Sequence, residues 1–252
     1  MRALTALCAL ALVLSGGAAR ANARDQAAIR AVERRVPVAG GGTGTSSLAQ
    51  QMTDAHVPAV SIAVFENGRI RWTRAYRVAD VAANRTARPD TLFQAASMSK
   101  AVAAAGALRL VDQGRLSLDQ DVATTLRAWR PRASDFTQNE KVTLRRLLSH
   151  TAGLTVSGFP GYAAGAPIPD TVQVLSGAKP AVTPEVRSYA RPGEKFGYSG
   201  GGYTVVQLMM TEATGEAFPE LMRRLVLAPA GMSRSTFEQP LPGRRRAQAA
   251  TG

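Results

Sequence analysis

Ser97-Met98-Ser99-Lys100 opens an apolar run, Ala101-Val102-Ala103-Ala104-Ala105-Gly106-Ala107-Leu108-Arg109-Leu110-Val111, which closes at Gln113-Gly114. The run predicts a helix over 97–113, stopped by Gly114. Residues three apart share a helix face, so the Lys100 ammonium falls beside the Ser97 hydroxyl. A helix N-terminus with apolar neighbours lowers a lysine pKa, and a neutral lysine can accept a serine proton. The plain alternative is a helix cap followed by a solvated lysine. Context favours the chemistry: Lys100 is one of only four lysines, with Lys141, Lys179 and Lys195, and its helix is otherwise apolar. Ser99 falls on the helix surface and takes no role.

Working outward, residues 57–65 are rich in β-formers, and Asn67-Gly68 is a hairpin turn because both residues tolerate positive φ. Residues 69–76 return as a second strand carrying Ile70, Trp72 and Tyr76. Residues 25–36 form a short charged helix. Gly40-Gly41-Gly42-Thr43-Gly44 is a linker and not a phosphate loop, since no Gly-Lys-Ser/Thr ending follows. Beyond the central helix, 116–126 and 142–149 are helical in whole or part, and 157–184 is an irregular surface loop. Gly201-Gly202 precedes a helix over 203–214, and another over 218–226 ends at Ala228-Pro229. There is no internal repeat, and no strand-rich segment follows the helices.

The 252 residues suffice for one large domain or two small ones, and 45% hydrophobic with 19% charged residues is a globular balance. That balance argues against disorder, collagen, coiled coil and a multi-pass membrane protein. One cysteine, Cys8, excludes a disulfide framework and a Cys-based zinc site; His56 and His150 leave little for a His-based one. The formal net charge is +13, but the arginines are scattered and aromatics are only 6%. Without basic–aromatic interleaving this is a solvated surface, and no nucleic-acid partner is expected. Charge alone motivates an envelope-binding reading.

The first residues follow a targeting pattern. Arg2 is followed by an apolar run over 3–14 and by Ala-x-Ala sites at Ala19-Arg20-Ala21 and Ala21-Asn22-Ala23. Residues 1–23 are therefore expected to be a secretory signal peptide. The mature chain would start near Ala23 or Arg24, carry no transmembrane anchor, and be secreted or periplasmic.

Two further stretches compete for a nucleophile. Gly197-Tyr198-Ser199-Gly200-Gly201 fits G-x-S-x-G, but that turn needs a buried strand before it and a histidine after it. Arg191-Pro192-Gly193-Glu194-Lys195 is no buried strand, and no histidine follows His150. Tyr198, if it met the Ser/Lys pair, could serve as general base or proton shuttle with its pKa lowered by the ammonium. Its alternative is a buried tyrosine before a Gly-rich turn.

Taken together, these motifs resemble the serine β-lactamase-related family of class C β-lactamases, D-Ala-D-Ala carboxypeptidases and esterases. The resemblance runs from about Val57 to Thr251. It is carried by Val57-Pro58-Ala59-Val60-Ser61, Thr91-Leu92-Phe93 before Ser97-Met98-Ser99-Lys100, Gly114-Arg115-Leu116-Ser117-Leu118-Asp119, Leu147-Leu148-Ser149-His150-Thr151-Ala152-Gly153-Leu154, Tyr198-Ser199-Gly200, and Pro229-Ala230-Gly231-Met232 before Ser235-Thr236-Phe237. It implies an α+β fold of the β-lactamase/transpeptidase type, an antiparallel sheet with an all-helical region. Ser97 would be the acylated nucleophile, Lys100 its base, and Tyr198 the proton relay. The Ser97 amide would be one oxyanion donor and His150 a structural turn residue. Substrates would be small molecules or peptidoglycan-derived, and the resemblance implies no metal or organic cofactor.

The chain departs from the family in two places. Gly200 stands where the family's Tyr-x-Asn element has its amide, which favours ester or peptide over β-lactam turnover. The Lys- or His-x-Gly strand has no counterpart, since neither residue follows Lys195. The expected organisation is thus a signal peptide over 1–23, a helix and Gly-rich linker over 24–56, and an incomplete hydrolase domain over 57–252, with its C-terminal strands missing. An alternative is a truncated, non-catalytic member. A hairpin short of strand partners would also self-associate through its open edge.

Overall fold

The structure, a computed structural model, describes residues 22–37, 44–163 and 165–251. All but the last two residues of the expected signal peptide, and most of the Gly-rich linker, lie outside the described residues. The chain divides into two compact units, Met1–Phe93 with Gly243–Gly252, and Gln94–Pro242.

In the first unit, α1 (Ala23–Arg34) starts on a capping box: the Asn22 side chain accepts from the Asp25 amide and Asp25 from the Asn22 amide. A two-residue pair, β1 (Val36–Pro37) with β2 (Thr45–Ser46), leads to α2 (Leu48–Asp54), which is capped by Ser47. The hairpin is β3 (Ala59–Glu66) and β4 (Arg69–Asp80), antiparallel, with Val60 opposite Tyr76 and Val64 opposite Trp72. Asn67 and Gly68 at the turn both have positive φ, as the sequence requires. The register slips after Val64, so that Phe65 faces Ile70 and Arg71 is left as the extra residue of a bulge. Arg71 ion-pairs there with Asp25 at 3.1 Å and Glu66 at 3.0 Å, which ties α1 to the hairpin. Ile29, Met52, Trp72 and Ala79 are among the apolar side chains this unit buries.

The hairpin is not left as two strands. β5 (Arg85–Thr86) pairs along β4, giving the order β3-β4-β5. The last residues form no strand, but after α8 (Gly243–Arg246) they return as isolated bridges, Ala249 to Leu92 and Thr251 to Asp80. Ala250 donates to the Leu92 carbonyl at 2.8 Å, and Thr251 to that of Ala79 at 2.7 Å.

The second unit is helical. α3 (Met98–Asp112) and α6 (Gly200–Thr214) are its two long helices, accompanied by α4 (Leu144–Leu148), α5 (Thr171–Ser176) and α7 (Phe218–Met222). Leu110, Leu147, Leu154, Leu175, Val205, Met209 and Leu221 belong to one buried cluster. α3 approaches its neighbours closely at Gly106, where a Cβ would meet Met222 Sδ at 2.8 Å and Met210 Cε at 3.0 Å.

Several expectations change. Residues 116–126 hold only a 3₁₀ turn, Val122–Thr124, because the Val122 amide is drawn across the chain to the Val142 carbonyl. The loop expected over 157–184 contains α5, set by an Asp170/Gln173 capping box and stopped by left-handed Gly177. The helix expected over 218–226 is α7 followed by a wider π turn, Arg223–Leu227. α6 begins at Gly200 and not at Tyr203, because Ser199 caps it.

Candidate active site

Ser97 stands at the N-cap of α3, where a serine ordinarily accepts a hydrogen bond from the first-turn amides. It does not do so here: its φ and ψ are already helical, and its side chain makes no capping bond. Ala96 before it is left-handed, at φ 44°, so the chain turns sharply into the helix. The Ser97 amide has no hydrogen-bond partner among the described residues. The hydroxyl is spared for two other groups. Lys100 Nζ donates to Ser97 Oγ at 3.1 Å, and the Tyr198 hydroxyl donates to it at 2.8 Å. Lys100 is half-buried, its Nζ 4.9 Å from the Tyr198 ring centroid and 5.8 Å from that of Tyr203. The three residues named by sequence thus converge, and Lys100 is not simply solvated.

Hydrogen bonding from Lys100, then from Ser97, holds the Tyr198 phenol below the ordinary tyrosine value, and the Lys100 charge adds to this. Burial pushes Tyr203 upward, and its hydroxyl donates to the Leu148 carbonyl at 3.2 Å.

Ser199, the serine of the competing G-x-S-x-G stretch, is 4% exposed and committed to structure. Its hydroxyl donates to the Thr155 carbonyl at 2.9 Å and accepts from the Gly202 amide at 2.8 Å, capping α6. The first amides of α6 also have partners, Gly200 on the Ser157 carbonyl and Gly201 on that of Val156. The 155–157 segment is therefore strapped to the start of α6, next to Tyr198. His150 accepts at Nδ1 from the Ser199 amide at 3.1 Å, and its ring lies 4.4 Å from that of Tyr198.

A side chain at Gly200 would be crowded. A Cβ there would meet Phe159 Cε2 at 3.0 Å and the Ser157 carbonyl at 3.2 Å. A cavity of about 170 Å³ opens beside Lys100, lined by Phe159, Gly200, Tyr203, Phe218 and Phe237. Sequence reasoning passed over Phe159 and Tyr203; the aromatic content of the 157–184 loop was the only available signal for Phe159. A larger cavity, about 530 Å³, lies within the first unit between Met52, His56, Arg77 and Val81, and holds none of the expected site residues. Among the described residues, no group of three His, Cys, Asp or Glu side chains is placed to hold a metal ion.

Comparison with known proteins agrees with this architecture. The chain is 34% identical over 197 residues to esterase EstB of Burkholderia gladioli, covering 75% of this chain and 49% of that one. It is 28% identical over 187 residues to protein flp of Staphylococcus aureus, covering 73% and 36%. Among solved structures, the octameric penicillin-binding protein homologue of Pyrococcus abyssi superposes with a TM-score of 0.63 at 24% identity, over 81% of this chain and 46% of that one. The β-lactamase/D-alanine carboxypeptidase of Yersinia pestis gives 0.63 at 21%, over 79% and 55%. The chain thus spans between about a third and just over half of the length of these relatives. The fold is of the β-lactamase/transpeptidase type, with helices and antiparallel strands. The family model described as Beta-lactamase matches residues 45–252, and the chain belongs to that family.

Proposed function

We propose that this chain is an exported serine hydrolase working through an acyl-enzyme on Ser97, with ester or D-amino-acid peptide substrates favoured over β-lactams. The observation that carries the reading is the Ser97 hydroxyl held between Lys100 Nζ and the Tyr198 phenol. Both groups donate to the serine oxygen, so one must lose its proton before Ser97 can lose its own. We assign that loss to Tyr198, whose phenol is held below its ordinary value by its hydrogen bonds with Lys100 and Ser97. In this scheme the Tyr198 phenolate, stabilised by the Lys100 ammonium, takes the Ser97 proton as Oγ bonds to the substrate carbonyl carbon. The Ser97 amide supports the charge on the carbonyl oxygen. As the bond to the leaving alcohol or amine breaks, Tyr198 returns that proton to it. Water then attacks the acyl-serine, gives a proton to Tyr198, and Ser97 recovers one as the acid departs. This exchanges the roles of base and relay that the resemblance implies for Lys100 and Tyr198.

β-Lactams are disfavoured because position 200 offers no side-chain amide to orient the substrate and Lys100, and Phe159 crowds that position. Small-molecule esters and peptidoglycan-derived peptides are the substrate classes. Ser97 labelling by a fluorophosphonate or a fluorescent penicillin, located by peptide mass and lost in Ser97→Ala, tests the reading. A folded protein with no adduct at Ser97 would overturn it.

A second reading, a member that is acylated without turning over, is favoured by Gly200, which brings no side-chain amide to the site beside Lys100. Stoichiometric labelling without product release would select it. Export is supported by the targeting pattern of residues 1–23. Among the described residues no helix is long and apolar enough to cross a membrane. Exported protein should begin near Ala23 or Arg24 by N-terminal sequencing; a start at Met1 would contradict export by this route.

A further inference from the structure

The residue after the C-cap of a helix is commonly a left-handed glycine, because a side chain is strained there. α4 ends at Leu148 with Ser149 as its cap, and the next residue is His150, at φ 57°. A histidine in this place needs a reason beyond ending a helix. Its backbone carbonyl accepts from the Gly197 amide at 2.8 Å, and its Nδ1 accepts from the Ser199 amide at 3.1 Å. These two bonds grip the chain on either side of Tyr198. The imidazole also packs on the Tyr198 ring at 4.4 Å, on Tyr203 at 5.2 Å and on Phe196 at 5.8 Å.

We propose that His150 is a positioning residue: by accepting the Ser199 amide hydrogen at Nδ1 and packing beneath the Tyr198 ring, its neutral imidazole holds the Tyr198 phenol on Ser97 Oγ. The inference rests on the acyl-enzyme reading for its catalytic consequence, but its structural content stands on the phenol alone. A second proton on the imidazole would fall on Nδ1, facing the Ser199 N–H, and the acceptor would be lost. The groups that face the ring are Lys100 from α3, Tyr198 from the turn and Tyr203 from α6, with uncharged Phe196. Burial, then the Lys100 charge, keep the imidazole neutral below its ordinary value. The site should therefore stay assembled at neutral pH and come apart in acid.

Two substitutions separate positioning from a merely structural role. His150→Gly removes the side chain and the left-handed strain together, so it should fold. His150→Asn tolerates the same φ and offers a side-chain oxygen near the Nδ1 position, with nothing to titrate. The readout is the rate of Ser97 acylation by a fluorophosphonate, on the full chain, from roughly pH 4 to 9. His150→Gly should slow acylation by about tenfold or more, and His150→Asn should stay within a few-fold at neutral pH, keep the phenol's own fall toward acid and lose the extra steepness that the histidine adds. Acylation by His150→Gly at the wild-type rate would overturn the proposal, as would an unchanged steepness in acid in His150→Asn. If the wild-type protein takes no label at any pH, the acyl-enzyme reading fails, and the phenol decides the rest. In ¹³Cζ-tyrosine NMR, assigned with Tyr198→Phe, His150→Gly should raise the Tyr198 midpoint toward the ordinary value of about 10. An unmoved midpoint would refute the positioning role.

Discussion

Gly153 cannot carry a side chain. At φ 66°, a Cβ would overlap the carbonyl oxygen of Ala190, and the Tyr189 amide holds that segment in place by donating to the Gly153 carbonyl at 2.9 Å. Gly153→Ala is expected to cost about 3 kcal/mol or more, read as a lower urea midpoint. Ser199→Ala should cost about 1–2 kcal/mol, since it removes the α6 cap and the donor to Thr155, yet leave Ser97 labelling in place. That pair of outcomes separates the two candidate serines. Under the proposed mechanism, acylation should rise with pH as the Tyr198 phenol loses its proton, with a midpoint below about 10. Tyr198→Phe should remove that limb, and a midpoint at or above the ordinary value would contradict the assignment. At this scale the Ser97–Lys100 pair was legible, because three-residue spacing on a helix fixes its own neighbours. The bond from Ser199 to His150 was not, because 49 residues separate them.

At the scale of elements, local rules accounted for most starts and stops. Asn67-Gly68 made the hairpin turn, Asn22 with Asp25 started α1, and Gly114 followed the end of α3. Asp170, Gln173 and Gly177 were equally clear signals for α5, and they were outweighed by the Gly and Pro content around them. The early start of α6 was harder to foresee: three glycines read as a turn before the helix until Gly201 is seen packed against Val186 and the Thr155 carbonyl, where a Cβ would not fit. Asp25 serves both the α1 cap and the ion pair with Arg71. Asp25→Ala should therefore speed amide exchange throughout α1 and destabilise the first unit by about 1–2 kcal/mol. Exchange in α3 should be unchanged.

At the scale of the whole molecule, the first unit presents an apolar hairpin tip and an edge strand. Phe65 and Ile70 face one another across the strands and are 75% and 66% exposed. β3 has β4 on one side and no named strand on the other among the described residues. Concentration-dependent self-association is expected in sedimentation velocity, and Phe65→Lys with Ile70→Lys should reduce it. A monomer at all concentrations would contradict this. The pairing of Ala249 and Thr251 with Leu92 and Asp80 could not have been anticipated from residues that carry no strand pattern.

By itself the sequence determined the features set within a turn or two of chain: the Ser-x-x-Lys pair on one helix face, the hairpin, and the caps. Its motifs also carried the family. Only the tertiary structure brought Tyr198 to Ser97 across 101 residues, placed His150 beneath it, and set Phe159 against position 200. The physical reason is range. Helix and turn geometry follow from a few adjacent residues, whereas the meeting of α3, α6 and the 155–159 segment depends on how the whole second core packs.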